Sequence, residues 1–261
     1  MGVYEKGRGA MVTQNWLTRE DDMSGVTRIT LSSPPVNALT ADNLALLANL
    51  VTVLEADSAV RAVVLASALP VFSAGLNLKD AVHFDLQAQT AVVDGMDQAF
   101  GALFSFRKPL IAAVSGAAIA GGLFPILCAD YRIATAKAKF GLAEVKVGVA
   151  MPFCPMEIAH AALSPNDLRR LMQRGAAISA DKALGSGLID ELVEPSELLS
   201  HAHSVAAEYA QLPPQTYAEI KMQVRAEAIE RIEKNRAHRQ ATPALPWFSP
   251  ETRPAMRKLI G

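Results

Sequence analysis

Residues 109–148 read as a strand, a small-residue turn and a helix, with the adjacent glycines Gly121 and Gly122 at the junction. Leu110–Val114 is an unbroken apolar run, the pattern of a fully buried strand. Leu123–Cys128 is a second apolar run, and Pro125 sets its register. Proline is tolerated only in the first turn of a helix, so the helix begins near Gly121 or Gly122. Glycine there lets backbone approach a ligand closely. The first amides of a helix lack partners within it and favour negative charge. Such a junction suits a developing oxyanion. It equally suits a close-packed turn with no ligand, and the glycine pair alone does not choose between them.

The flanking sequence repeats the scheme. Val26–Leu31 alternates apolar and polar residues as a half-buried strand does, and Val12 to Thr18 suits an edge strand. Thr40 and Asp42 open a helix whose apolar positions are Leu44, Leu47, Leu50, Val51 and Leu54. Arg61 to Ala66 is a buried strand, and Phe72-Ser73-Ala74-Gly75-Leu76 is a second small-residue turn after it. Asp94 to Phe106 has helical spacing. Tyr131–Thr135 reads as a strand continued by Ala138–Gly141. Helices open at Pro165 and Ser179, the latter closed by Gly185 and Gly187, and Leu188–Val193 is a last strand. From Pro195 the character changes to helices, one to about Leu212 and a charged one from about Thr216 to Arg239. Trp247 and Phe248 follow as anchors for the core or a neighbouring subunit. The expected division is a core over residues 1–198 and a helical oligomerisation region over 199–261, with residues 1–10 frayed.

Composition narrows the function classes. With 51% apolar residues in a chain of 261, a sizeable core can form, and a net charge of −1 argues against nucleic-acid and membrane-surface partners. No apolar run is long enough to span a bilayer, and no secretory signal is evident. A cytoplasmic protein is the expectation. Cys128 and Cys154 read as buried free thiols, and the five histidines have no metal-ligand spacing. Ser73 lacks the surroundings of a nucleophile elbow, and the three-glycine spacing of a dinucleotide site is absent.

Four segments in order, Phe72-Ser73-Ala74-Gly75, the Gly121-Gly122 entrance, Cys128-Ala129-Asp130-Tyr131-Arg132-Ile133 and Phe140-Gly141-Leu142-Ala143-Glu144, make the chain resemble the crotonase (enoyl-CoA hydratase/isomerase) superfamily. The resemblance covers roughly residues 12 to 198. It implies an α/β fold, a spiral of ββα units with a C-terminal helical region, assembled as a homotrimer or dimer of trimers. It implies an acyl-CoA substrate and no separate cofactor. The thioester oxygen would lie between the amides of Ala74 and Gly121, and Gly75, Leu76, Asn77 and Leu78 would border CoA. The family often has Asp where this chain has Asn77. Lys221, Lys234, Arg257 and Lys258 are candidates for CoA phosphates, against the plainer reading of solvated helix charges.

Family hydratases use two glutamates. By position the first falls at Phe124, which can neither give nor take a proton, and the second at Glu144. The resemblance is therefore to the Δ3,Δ2-enoyl-CoA isomerases, which share an apolar residue at the first position, a Ser-Ala-Gly-Leu turn and a Pro-Phe pair, here Pro152-Phe153, after the retained Glu. Glu144 would be the single acid/base, with Phe124, Pro152 and Phe153 beside it raising its pKa. Hydration, thioester hydrolysis or simple acyl-CoA binding remain as alternatives.

Overall fold

The computed structural model describes residues 12–14 and 16–260; the expectation for residues 1–10 lies outside them. The first strands are β1 (Val12–Gln14), β2 (Leu17–Asp21), β3 (Val26–Leu31) and β4 (Ala62–Ser67). Next come β5 (Leu110–Val114), β6 (Ala117–Ile119), β7 (Tyr131–Ala134), β8 (Lys139–Gly141), β9 (Ile178–Ser179) and β10 (Glu191–Leu192). Seven strands form one sheet in the order β1-β2-β3-β4-β5-β7-β10, and β6-β8-β9 form a second. The large sheet is antiparallel from β1 to β3 and parallel from β3 onward.

The helices of the first half are α1 (Ala41–Ala56), α2 (Leu78–Ala81), α3 (Leu86–Phe104), α4 (Phe124–Leu127) and α5 (Glu144–Val147). Those of the second are α6 (Phe153–Ala162), α7 (Pro165–Arg174), α8 (Ala180–Ser186), α9 (Leu198–Ala210), α10 (Pro214–Gln240) and α11 (Thr252–Ile260). None is long and apolar enough to cross a membrane among the described residues.

The winding follows from where each strand lies. β5 joins the large sheet, β6 the small one, and a helical turn follows; β7, β8 and α5 repeat that order. An earlier turn of the same kind runs from β4 through Ser73, which bridges in parallel to Ala118 of β6, and on to α2. The chain is thus a spiral of strand–strand–helix units. Ala138–Gly141 corrects the sequence reading here. It does not prolong β7: a turn after Thr135, closed by the Ala138 N–H on the Thr135 carbonyl at 3.0 Å, turns the chain into the second sheet.

Period-two alternation splits the parallel strands between two cores. Val63, Leu65, Leu110, Ala112 and Val114 face the main core with α1 and α3. Val64, Ala66, Ile111, Ala113 and Ile133 face the other way and are covered by Leu198, Ala202, Val205 and Ala206 of α9. The C-terminal helices therefore complete the body of the molecule.

Thr40 caps α1 through the Asn43 amide at 3.1 Å. α3 starts eight residues before the expected Asp94, because Asp85 caps it through the Ala88 amide at 2.8 Å. Helix α6 was not legible: Pro152 and Pro155 bracket its start, and both are compatible with a first turn. Helix α10 starts at Pro214, so the proline pair initiates it rather than merely ending α9.

Lys221 is neither solvated nor placed for a phosphate. Its ammonium is buried, donating to Asp130 Oδ2 at 2.6 Å and to the Lys108 carbonyl at 2.8 Å. Arg225 takes the other Asp130 oxygen at 2.8 Å, and Asp130 Oδ2 accepts the Leu110 amide at 2.9 Å. This network ties α10 to the start of β5. Burial pulls the Lys221 ammonium down to about 8 despite Asp130. Cys128 and Cys154 are buried free thiols, as expected.

Candidate active site

Glu144 is the first residue of α5, placed there by β8, whose Phe140 and Gly141 are buried. Within that short helix Glu144 and Val147 share one face, while Val145 and Lys146 are exposed. Both Glu144 and Val147 line a cavity of about 140 Å³. Its walls include Ala74, Leu76, Leu78, Met96, Gly121, Phe124, Val149, Met151 and Pro152. Trp247, Met256 and Leu259 close it from the C-terminal segment. Among the described residues Glu144 is the one ionisable side chain in this lining.

Its environment is unusual for a carboxylate. Oε2 is sealed from solvent and meets no hydrogen-bond donor among the described residues. Burial pushes the Glu144 carboxyl up to about 7, against a smaller opposing effect of its own backbone amide. A buried polar atom without a partner is uncommon enough to require an explanation, and a base titrating near neutrality provides one. Phe124 is fully buried and stacks on Phe100 with ring centres 5.4 Å apart.

Turn 73–76 and the glycine pair meet backbone to backbone. Gly75 has φ +78°, and a Cβ on it would lie 2.8 Å from the Ile119 carbonyl and 3.1 Å from the Gly121 nitrogen. Only glycine permits that approach. Gly122 is equally confined, since a Cβ there would lie 2.5 Å from the Ser73 carbonyl. The helix expected from Gly121 to Cys128 is a 3-10 turn, Ala120–Leu123, running into α4.

The assignment of Ala74 to an oxyanion site needs correction. Its N–H donates to the Val36 carbonyl at 3.0 Å, so its only hydrogen is engaged. The Gly75 amide donates to Ser73 Oγ at 3.2 Å. The amides of Leu76 and Gly121 meet no acceptor among the described residues. Both residues line the cavity.

Of the other expected residues, Leu78, Phe124 and Pro152 line the cavity. Asn77 does not: it caps α2 through the Lys79 amide at 3.1 Å, donates to Asp80 Oδ2 at 2.6 Å, and borders a separate cleft with Leu39 and Phe84. Phe153 is not part of the cavity lining and is 38% exposed; it opens α6 just past the wall that Pro152 forms.

Residues that sequence reasoning did not place are Met151, Val149 and the tail residues Trp247, Met256 and Leu259. Trp247 and Phe248 dock on the chain's own core. The Trp247 indole donates to the Ala150 carbonyl at 2.8 Å, and both backbone amides donate to Gln89 Oε1 at 3.0 Å. A roomier cleft of about 640 Å³ near α7 and α8 carries Arg170, Arg174 and Lys182 but none of these residues.

Comparison with known proteins bears on the same segments. The family model described as enoyl-CoA hydratase/isomerase matches residues 21–244. The chain is 28% identical over 223 residues to mouse mitochondrial enoyl-CoA delta isomerase 1, covering 84% of this chain and 77% of that protein. It is 30% identical over 197 residues to a probable enoyl-CoA hydratase of Bacillus subtilis, covering 75% of this chain and 76% of that one. The crystal structure of human mitochondrial delta3-delta2-enoyl-CoA isomerase superposes with a TM-score of 0.87 at 25% identity, over 95% of this chain and 97% of the other. A spiral of strand–strand–helix units, matched along most of its length by that family's model and by solved members of its fold, is a crotonase fold, and this chain belongs to the enoyl-CoA hydratase/isomerase family.

Proposed function

We propose that this protein is an acyl-CoA isomerase that moves a double bond from the 3 to the 2 position of an enoyl thioester. The observation that carries the reading is the cavity lining: among the described residues one carboxylate, Glu144, and an aromatic ring at Phe124. Hydration by two carboxylates would need a second acid/base beside the first. An allylic proton shift needs one group able to remove a proton at C2 and return it at C4. As the proton leaves, the C2–H electron pair becomes the C1=C2 π bond of a dienolate and the carbonyl π pair moves onto the thioester oxygen, which carries the negative charge. On return, the C3=C4 π pair takes the proton at C4, the C1=C2 pair shifts to C2=C3, and the pair on oxygen re-forms the thioester carbonyl.

In this reading the oxyanion is held by the free amides of Leu76 and Gly121, which replace the Ala74–Gly121 pair. Each such donor is worth about 2.7–4 kcal/mol in the transition state, and a positioned general base about 10²–10⁴-fold. The apolar lining raises the basicity of Glu144 and keeps water from competing for the dienolate. Both names among the relatives, isomerase and hydratase, fit the family; Phe124 favours the first.

The test is a pair of assays on purified protein, with 3-hexenoyl-CoA and with crotonyl-CoA. Conversion of the first to its 2-enoyl isomer without hydration of the second is the expected result. Hydration of crotonyl-CoA at a comparable rate would reject the one-carboxylate reading.

A further inference from the structure

The cavity that holds Glu144 is small, and its end wall borders a larger space. At about 140 Å³ it is under a third the size of the space beyond that wall, about 450 Å³. A cleft of about 450 Å³ lies on the other side of Pro152 and Trp247, which line both spaces. Val93 of α3, with Leu245 and Pro246 of the linker before Trp247, gives that cleft an apolar strip beside a charged wall in which Arg239 pairs with Asp94 and Asp97. Gln98 stands on its rim and is exposed.

Trp247 is held at the boundary by two independent bonds, from its indole to the Ala150 carbonyl and from its amide to Gln89 Oε1. The segment beyond it has anchors of its own. Phe248 bridges to Val149, Thr252 Oγ1 donates to the Gly148 carbonyl at 2.5 Å, and Arg253 donates to the carbonyls of Val82 and Phe84. The indole can therefore be shortened while the tail stays docked.

We propose that Trp247 is the chain-length stop of the acyl site: with it in place the protein takes acyl groups of about four to six carbons, and the cleft behind it receives longer chains once the indole is removed. This rests on reading the Glu144 cavity as the acyl site. The wall is contributed by the C-terminal segment, so substrate length is set by a part of the chain distant in sequence from the Glu144 helix. A methylene that gains a buried place is worth about fourfold in affinity, so a few of them suffice to invert a preference.

The experiment measures calorimetric affinities of the saturated, unreactive thioesters butanoyl-CoA and dodecanoyl-CoA for the wild type, Trp247→Ala, and Trp247→Ala combined with Gln98→Trp. The wild type should bind butanoyl-CoA more tightly. Trp247→Ala should move the affinity ratio at least tenfold toward dodecanoyl-CoA, and Gln98→Trp, which fills the cleft, should reverse that gain. Should the alanine variant unfold, Trp247→Met keeps the packing, shortens the wall and should give a smaller shift of the same sign. An unchanged ratio in a folded Trp247 variant overturns the proposal, as does a wild type that prefers dodecanoyl-CoA. Failure of butanoyl-CoA to bind at all overturns it together with the acyl-CoA reading. A shifted ratio in a protein that isomerises nothing supports the wall and rejects the isomerase.

Discussion

Replacing Glu144 by Gln should slow turnover by orders of magnitude and stabilise the protein, and the second effect has a defined dependence on pH. The carboxyl rises from its ordinary 4.5 to about 7 on folding, chiefly through burial. That corresponds to about 3 kcal/mol in favour of the protonated form. The folded protein holds this proton more tightly than the unfolded chain does. The contribution is therefore fully favourable below pH 4.5, declines as pH rises toward 7, and is lost above it. Glutamine has the same shape and does not titrate. Urea unfolding of the two proteins should give nearly equal stabilities at pH 4.5 and an advantage of about 3 kcal/mol for Glu144→Gln at pH 8. In the same samples, isomerisation of 3-hexenoyl-CoA should fall by about 10²–10⁴-fold, while affinity for butanoyl-CoA holds. A stability difference that does not change with pH would refute the reasoning, because it would mean that the carboxylate is well solvated or finds a donor. Unchanged turnover would remove Glu144 from the mechanism. The trade of stability for activity is general for strained or desolvated sites.

Three other outcomes follow from the same geometry. The wild-type kcat/KM should rise with pH through an apparent pKa near 7, as Glu144 ionises, and then level; a pH-rate profile that is flat from 5 to 9 contradicts this. Gly75→Ala meets φ +78° and a Cβ contact of 3.1 Å to the Gly121 nitrogen. It should displace the turn, lower kcat at least tenfold and cost about 1–3 kcal/mol, as read by saturation kinetics and urea titration. Lys221→Met leaves Asp130 buried with Arg225 as its one remaining cation. With Arg225 and the Leu110 amide still on Asp130, it should cost about 1–3 kcal/mol of stability with kcat little altered, and a change below about 1 kcal/mol would show that α10 does not depend on this pair.

The sequence was most readable where a single element decides its own pattern. Leu110–Val114 and Val26–Leu31 are strands at the expected residues, because a buried run and a clean alternation each permit one reading. Glu144, Phe124 and Gly121 meet in one cavity because the motif spacing carries their placement. The choice between the Ala74 and Leu76 amides was not legible. Amides two residues apart along an irregular turn can point to different partners, and only the Val36 carbonyl reveals which one is engaged. Trp247, Met256 and Leu259 reach the cavity through contacts spanning a hundred residues, for which no local pattern exists. Lys221 looked like a solvated helix charge because its partner Asp130 lies ninety-one positions away.

The most direct test of a single carboxyl moving one proton is the fate of a label. 3-Hexenoyl-CoA carrying two deuterium atoms at C2 is incubated with the protein in ordinary water, and the 2-enoyl product is examined by nuclear magnetic resonance and mass spectrometry. Removal and return by Glu144 in an apolar cavity predicts that a measurable part of the deuterium appears at C4. Product with solvent protium alone at C4, and no transferred label above background, would contradict it.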